Sequence, residues 1–246
     1  MISTLAILQA RMSSSRLPGK VMMLINGEPM IYRQVERIRQ SKTIDRLIVA
    51  TSTDPSDDEL ANFLQLKGIL VYRGALNDVL SRFLDIEKAT HPKVIVRLTG
   101  DCPLVMPQLI DQMVDRFHES ELDYLSNSLK LTFPDGLDIE VMSASVLEKV
   151  LALNPSMAER EHVTLGIYSR PGIFKIGNFS NDVDLSQERW TVDYFEDLVF
   201  VRQVFDAFKG SEGLFNLEDL RLFLSSNPGL RSAISPDRRN EQLDCD

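Results

Sequence analysis

An α/β fold with a mostly parallel sheet, covered by helices on both faces, is predicted by three features of the chain. Short apolar runs alternate four times with helix-periodic segments, the connections are short, and the runs are continuously apolar. Alternation of this kind builds parallel sheets through crossover helices. A continuously apolar run marks a strand buried on both faces.

Leu5-Ala6-Ile7-Leu8 gives the first strand. It lies in an apolar start, Met1 to Gln9, that no basic residue precedes and that is too short for a signal peptide or a membrane span. Ile31, Val35 and Ile38 then share one helix face. Leu47-Ile48-Val49 is the second strand, followed by a helix carrying Leu60, Phe63 and Leu64. Ile69-Leu70-Val71-Tyr72 is the third, and Val79, Phe83 and Ile86 mark the helix after it. Val94-Ile95-Val96 is the fourth, followed by the stripe Ile110, Met113, Val114 and Phe117.

The regularity fades beyond about Asp123. A strand with a turn at Pro134-Asp135-Gly136 is expected within 131–141, and helices over 143–153 and 157–168. The run 189–192 is expected to return to the sheet as a strand. A helix with Leu198, Val201, Phe205 and Phe208 follows. Residues 1–210 are expected to form the main domain and 211–246 a C-terminal extension. From about Pro228 that extension is polar and proline-interrupted, as a loose tail is.

The 246 residues are 43% hydrophobic and 26% charged, which fits a folded globular chain with a sizeable core and argues against disorder. A formal net charge of -9 argues against broad nucleic-acid binding but not against a small anion held by a few cations. The only cysteines, Cys102 and Cys245, are far apart in sequence, so no disulfide framework is expected and a reducing cytoplasm fits.

In open parallel sheets ligands bind beyond the carboxyl ends of the strands, so each strand end is informative. The first strand runs into Gln9-Ala10-Arg11-Met12-Ser13-Ser14-Ser15-Arg16-Leu17-Pro18-Gly19-Lys20, where three cations occur before the first acid, Glu28. Small residues let backbone N–H groups approach an anion, arginine grips phosphate oxygens in pairs, and lysine adds a point charge. Neither the Walker spacing nor the dinucleotide glycine fingerprint is present. The competing explanation is a solvated surface loop.

The fourth strand ends in Thr99-Gly100-Asp101-Cys102-Pro103. Gly100 allows close backbone approach, and Asp101 would project on the side of the basic loop. A carboxylate beside a triphosphate is repelled unless a cation lies between them, and Mg²⁺ takes one or two carboxylates plus phosphate oxygens. The alternative is a turn aspartate capping a local N–H. Cys102 is expected to be a buried filler rather than a nucleophile. Asp193, at the end of Arg189-Trp190-Thr191-Val192, would approach Asp101 if its run rejoins the sheet. Glu196 and Asp197 suit the first turn of a helix.

The segments LQARMSSSRLPGK, VATSTDPSDD, VYRGALNDVLSRF, VRLTGDCPL, FPDGLDIEV, EREHVT and RWTVDYFEDL, in this order, resemble the nucleotidyltransferases that make CMP-activated sugars. The nearest branch is the spore-coat polysaccharide biosynthesis cytidylyltransferase type. The 3-deoxy-manno-octulosonate and acylneuraminate cytidylyltransferases are more distant. The resemblance covers about residues 3–208. It implies a three-layer α/β/α, Rossmann-like nucleotide-diphospho-sugar transferase fold, with CTP and a sugar acceptor as substrates. It also implies Mg²⁺, usually a homodimer, and a place in surface polysaccharide or glycan synthesis.

Carried over by position, the resemblance gives Arg11, Ser13, Arg16 and Lys20 to the triphosphate. It sets Ala50, Thr51 and Asp54 near the nucleoside, and Arg73 and Asp78 along the base and ribose. Gln9, Ala10, Arg97 and Gly100 complete the nucleotide side. Asp101 and Asp193 become metal ligands, and with Arg11 and Lys20 they form the catalytic set. Asp138, Glu140, Arg160, Glu161 and His162 fall on the sugar side, within a subregion, about 123–180, that also makes the subunit contact. Local roles compete for some of these residues: helix caps for Thr51, Asp54 and Asp78, surface charges for Arg160 and Glu161, and a structural histidine for His162. Two departures stand out. Relatives often carry glycine at Ser14 and a proline near Phe195. A serine forced to positive φ would cost on the order of 1 kcal/mol.

Transfer of CMP to a hydroxyl of a nonulosonic or other acidic sugar, with release of pyrophosphate, is the leading expectation. The rivals are transfer to a phosphorylated acceptor, giving a nucleoside-diphosphate product, and a non-catalytic nucleotide-binding partner.

Overall fold

The computed structural model describes residues 2–211 and 214–230. Nine strands occur among them. They are β1 (Thr4–Gln9), β2 (Leu24–Ile25), β3 (Glu28–Pro29), β4 (Arg46–Ser52), β5 (Leu70–Gly74), β6 (Val94–Thr99), β7 (Tyr124–Ser126), β8 (Glu140–Ser143) and β9 (Ile176–Asn178). The helices are α1 (Met30–Ile38), α2 (Asp58–Leu66), α3 (Val79–Thr90), α4 (Pro107–His118), α5 (Ser145–Ala152), α6 (Met157–Glu161), α7 (Leu165–Tyr168), α8 (Phe195–Ala207) and α9 (Leu217–Ser226).

Seven strands form one sheet in the order β5-β4-β1-β6-β8-β7-β9, while β2 and β3 make a separate hairpin. The pairs β5–β4, β4–β1 and β1–β6 are parallel, and only β8 runs against its neighbours. The four apolar runs of the sequence are these four parallel strands. Side chains alternate along β1: Ala6 and Leu8 enter a core shared with α1, α2, α4 and α8, whereas Leu5 and Ile7 enter a second core under α3, α5 and α7. Helices therefore cover both faces. The chain winds outward from β1 to β5 and then returns to place β6 on the other side of β1. That reversal opens a crevice at the carboxyl ends of β1 and β6.

Four expectations need correction. The run 189–192 is not a sheet strand: Arg189 makes only an isolated bridge to Asp135. Its backbone bonds are divided, Trp190 N–H going to the Asp135 carbonyl and Val192 N–H to the Asp101 carbonyl, so the run laces two loops together. Within 131–141 only Glu140 and Val141 enter a strand, β8, while Leu137 N–H closes the expected turn on the Pro134 carbonyl at 3.2 Å. The helix expected over 157–168 breaks into α6 and α7 at Val163, whose φ is 48°. The helix expected from residue 143 begins at Ser145, because β8 uses the residues before it.

Beyond residue 210, α9 packs Leu220 and Leu224 into the first core, and Phe215 stacks on Phe208 with ring centroids 4.4 Å apart. The tail expected from about Pro228 lies, from residue 231 on, outside the described residues, as does Cys245. Among the described residues no helix is long and apolar enough to cross a membrane.

Candidate active site

The cleft forms where three backbone segments meet at the carboxyl edge of the sheet. Ala10 N–H bonds the Ala50 carbonyl at 3.1 Å, and Gly100 N–H bonds the Gln9 carbonyl at 2.8 Å. A Cβ at Gly100 would stand 2.9 Å from that of Ala10. The glycine thus lets the β1 and β6 ends close on each other. The basic loop folds back on Met12, whose carbonyl accepts from Ser14 N–H at 2.9 Å and from Gly19 N–H at 2.8 Å. Gly19 supplies the left-handed turn (φ 73°) into the 3₁₀ turn that begins at Lys20. Ser14 is not among the residues with positive φ, so this serine carries no backbone strain.

Lys20 is buried, and its Nζ lies 2.9 Å from Asp193 Oδ1, 2.8 Å from the Val192 carbonyl and 3.4 Å from Asp101 Oδ2. Arg16 reaches Asp193 Oδ1 at 2.7 Å. Arg189 holds the other oxygen of Asp193 at 3.0 Å while gripping Asp197 and Asp135. Lys20 thus bridges Asp101 and Asp193, although the run 189–192 does not rejoin the sheet as a strand. Burial opposes the ammonium, but the two carboxylates outweigh it and hold Lys20 above its ordinary value. Burial likewise pushes Asp101 up, yet Lys20 and hydrogen bonds from Thr99 and Cys102 bring it down to about 2. The Cys102 thiol, buried and beside Asp101, is pushed well above its usual value, which fits an inert filler.

Gly136, with φ 102°, lets the 189–193 segment approach: a Cβ there would stand 2.6 Å from the Trp190 carbonyl carbon. Asp197 accepts from Asp193 N–H and Tyr194 N–H at 3.0 Å each. That holds the start of α8 in place with Phe195, not a proline, as its first residue. Arg189 and Asp197 anchor the site although the sequence reading gave them no such role. Their signal was an arginine followed at four and eight residues by acids.

Across β6 and β8, Arg97 pairs with Glu140 directly opposite it, and its Nη2 lies 3.3 Å from Gln9 Oε1. The Tyr124 hydroxyl donates to Glu140. Burial and then Glu140 push this phenol well above its usual value, so it remains a donor. Arg11 lies 3.5 Å from Glu161.

Of the residues expected in the site, Gln9, Ala10, Arg11, Arg16, Lys20, Arg97, Gly100, Asp101, Glu161, His162 and Asp193 line one cleft of about 230 Å³, joined by Ser14, Ser15, Val21 and Thr99. Ser13, Ala50, Thr51, Asp54, Arg73, Asp78, Asp138, Glu140 and Arg160 are not among its lining residues. Several have local work. Asp54 accepts from Ser56 N–H at 2.9 Å, and Asp78 caps α3 by accepting from Ser81 N–H at 3.0 Å. Asp78 also takes both Nε and Nη2 of Arg160. Arg73 binds the Ser52 and Asp54 carbonyls. Thr51 is fully buried, and its hydroxyl has no hydrogen-bond partner among the described residues.

Among the described residues no group of three or more His, Cys, Asp or Glu gathers as a metal cage. A pair of carboxylates on an anion cleft nonetheless matches the oxygen donors Mg²⁺ takes alongside phosphate. Asp101 is about 30% exposed and meets Lys20 at 3.4 Å, long for a charged contact, so it keeps acceptor capacity toward the cleft.

Residues 5–227 match the family model described as Cytidylyltransferase. The chain is 34% identical over 233 residues to the spore coat polysaccharide biosynthesis protein SpsF of Bacillus subtilis, covering 91% of this chain and 95% of that protein. It is 33% identical over 136 residues to a 3-deoxy-manno-octulosonate cytidylyltransferase of Sodalis glossinidius, about half of each chain. A cytidylyltransferase structure from Leptospira borgpetersenii superposes with a TM-score of 0.90 at 32% identity, covering 96% of this chain and 99% of that one.

Proposed function

The chain belongs to the cytidylyltransferase family, and on that premise we propose that it transfers CMP from CTP to a hydroxyl of an acidic sugar of the nonulosonic type. Pyrophosphate is released, and the product serves surface polysaccharide or glycan synthesis. The observation that carries this reading is one cleft at the strand ends that sets Arg11, Arg16 and Lys20 against Asp101 and Asp193.

The acceptor oxygen forms a bond to the α-phosphorus, the bond to the bridging oxygen breaks, and the hydroxyl proton passes to solvent. Arg11, Arg16 and Lys20 are the groups suited to the charge that gathers on pyrophosphate. Arg16 and Lys20 are engaged by Asp193. Triphosphate binding therefore exchanges carboxylate partners for phosphate oxygens. Mg²⁺, held by Asp101 and Asp193, would supply Lewis-acid polarisation of the phosphate. Cys102 is not among the cleft's lining residues, and burial with a thiol kept protonated makes it unsuited to covalent attack.

Mass spectrometry of the product tests the acceptor class. A sugar carrying one CMP phosphate supports the reading. A diphosphate-linked product would mean a phosphorylated acceptor, and no product from any acceptor with CTP would overturn it.

A further inference from the structure

Asp57 opens the α2 region at a position where an aspartate ordinarily caps the helix, yet its side chain makes no cap bond. It is fully buried, and no ion pair with it occurs among the described residues. A carboxylate removed from water is costly unless hydrogen bonds replace the lost hydration. Here three donors do so. Met12 N–H donates to Oδ1 at 2.7 Å, Ser52 N–H donates to Oδ2 at 3.1 Å, and the Ser52 hydroxyl donates to Oδ2 as well. One carboxylate therefore ties the basic loop after β1 to the end of β4. The recipient matters, because Met12 is the residue on which the basic loop closes: its carbonyl takes Ser14 and Gly19 N–H. The other end of the tie is braced by Arg73, which holds the Ser52 carbonyl at 2.8 Å.

We propose that Asp57 is a positioning residue of this enzyme: its buried carboxylate fixes the Met12 amide and so sets where Arg11, Arg16 and Lys20 stand. A short carboxylate with two acceptor oxygens suits this task, because one oxygen serves each loop. An asparagine would present an NH₂ group to one set of donors, leaving either Met12 or Ser52 unpaired. The inference rests on the reading of the cleft as a CTP site, but the anchoring itself does not require the ligand.

The test uses the full-length chain and two readouts. The first is hydrogen exchange in the ligand-free protein. In Asp57→Asn, exchange of the peptide spanning 9–20 should accelerate at least tenfold while the peptides of α3 and β6 stay unchanged. The second is kinetic. KM for CTP should rise at least tenfold while KM for the acceptor stays within twofold, a split that general loss of stability does not produce. Ser52→Ala, which keeps the Met12 bond, should resemble wild type in both. Should Asp57→Asn not fold, Asp57→Ser takes its place, since it removes the reach to Met12 without burying an amide. A folded variant with unchanged exchange over 9–20 overturns the proposal. If the wild-type chain neither binds nor uses CTP, the function reading falls, and the exchange comparison alone decides the anchoring.

Discussion

Asp101 is held by Lys20, Thr99 and Cys102, and its own backbone carbonyl anchors Val192 and Thr191. Asp101→Asn keeps that carbonyl and the side-chain shape, so the fold should survive. It removes the negative charge that faces Lys20, and on the proposed metal-holding role of Asp101 activity should fall far more than tenfold. Steady-state rates together with circular dichroism check this, and a near-normal rate would remove Asp101 from the catalytic set. Glu140 poses a different case. Its carboxylate is buried against Arg97 and Tyr124. Glu140→Ala leaves the arginine buried without its partner, and breaking such a pair costs about 3–5 kcal/mol. Urea melts should show that loss. A change below about 1 kcal/mol would mean the guanidinium finds water or another partner.

At the scale of elements, the 189–193 segment shows where the sequence was legible and where it was not. Its strand-like composition is real, because Trp190 and Val192 are buried. Composition says what is buried, not which carbonyls the backbone will find, and here those belong to Asp135 and Asp101. The four parallel strands were legible because continuous apolar runs have one common solution. The short strands β7 and β9 were not, since three residues give too little periodicity. The basic loop and Asp101 were legible from charge and position. Asp57 was hidden because two of its three donors are backbone amides, one of them on the distant Met12. Arg189 carried a local signal in the acids four and eight residues on, but it also grips Asp135, far away in sequence. Gly136→Ala is the sharpest test of the lacing, for a Cβ would collide with Trp190 and Thr191. It should destabilise the chain by about 1–3 kcal/mol and lower activity by shifting Asp193, as thermal melts and rates would show.

Asp123 gives the same scale a pH dependence. Its carboxylate accepts from Lys175 N–H at 2.9 Å, just before β9, and meets Lys149 of α5 at 3.3 Å. The Lys175 N–H, partly opposed by burial, and then Lys149 hold it below the ordinary value. A depressed folded value stabilises above the unfolded value of about 4 and loses that contribution as the pH falls through the folded one. The denaturant-midpoint gap between wild type and Asp123→Asn should therefore be full at pH 6 and shrink below about pH 4. A gap independent of pH would contradict this assignment.

For the whole molecule, the sheet order puts the switch between β1 and β6, and the cleft that sets Arg11, Arg16 and Lys20 against Asp101 and Asp193 lies at that edge. The segment that leads into α9 joins the same body through Arg37 of α1, whose guanidinium lies 3.8 Å from the Phe215 ring centroid and binds the Val105 and Phe215 carbonyls. The segment just after Asp101 is thereby tied to residues beyond 210. The central claim is that this edge is a CTP-dependent transfer site. Its most direct test is pyrophosphate release with Mg²⁺ and CTP, ATP, GTP or UTP, across nonulosonic acids, octulosonic acids and sugar phosphates. The account predicts release with CTP and one acid sugar, abolished by chelation of the metal. Release with another nucleotide in preference to CTP, or none with any acceptor, would contradict it.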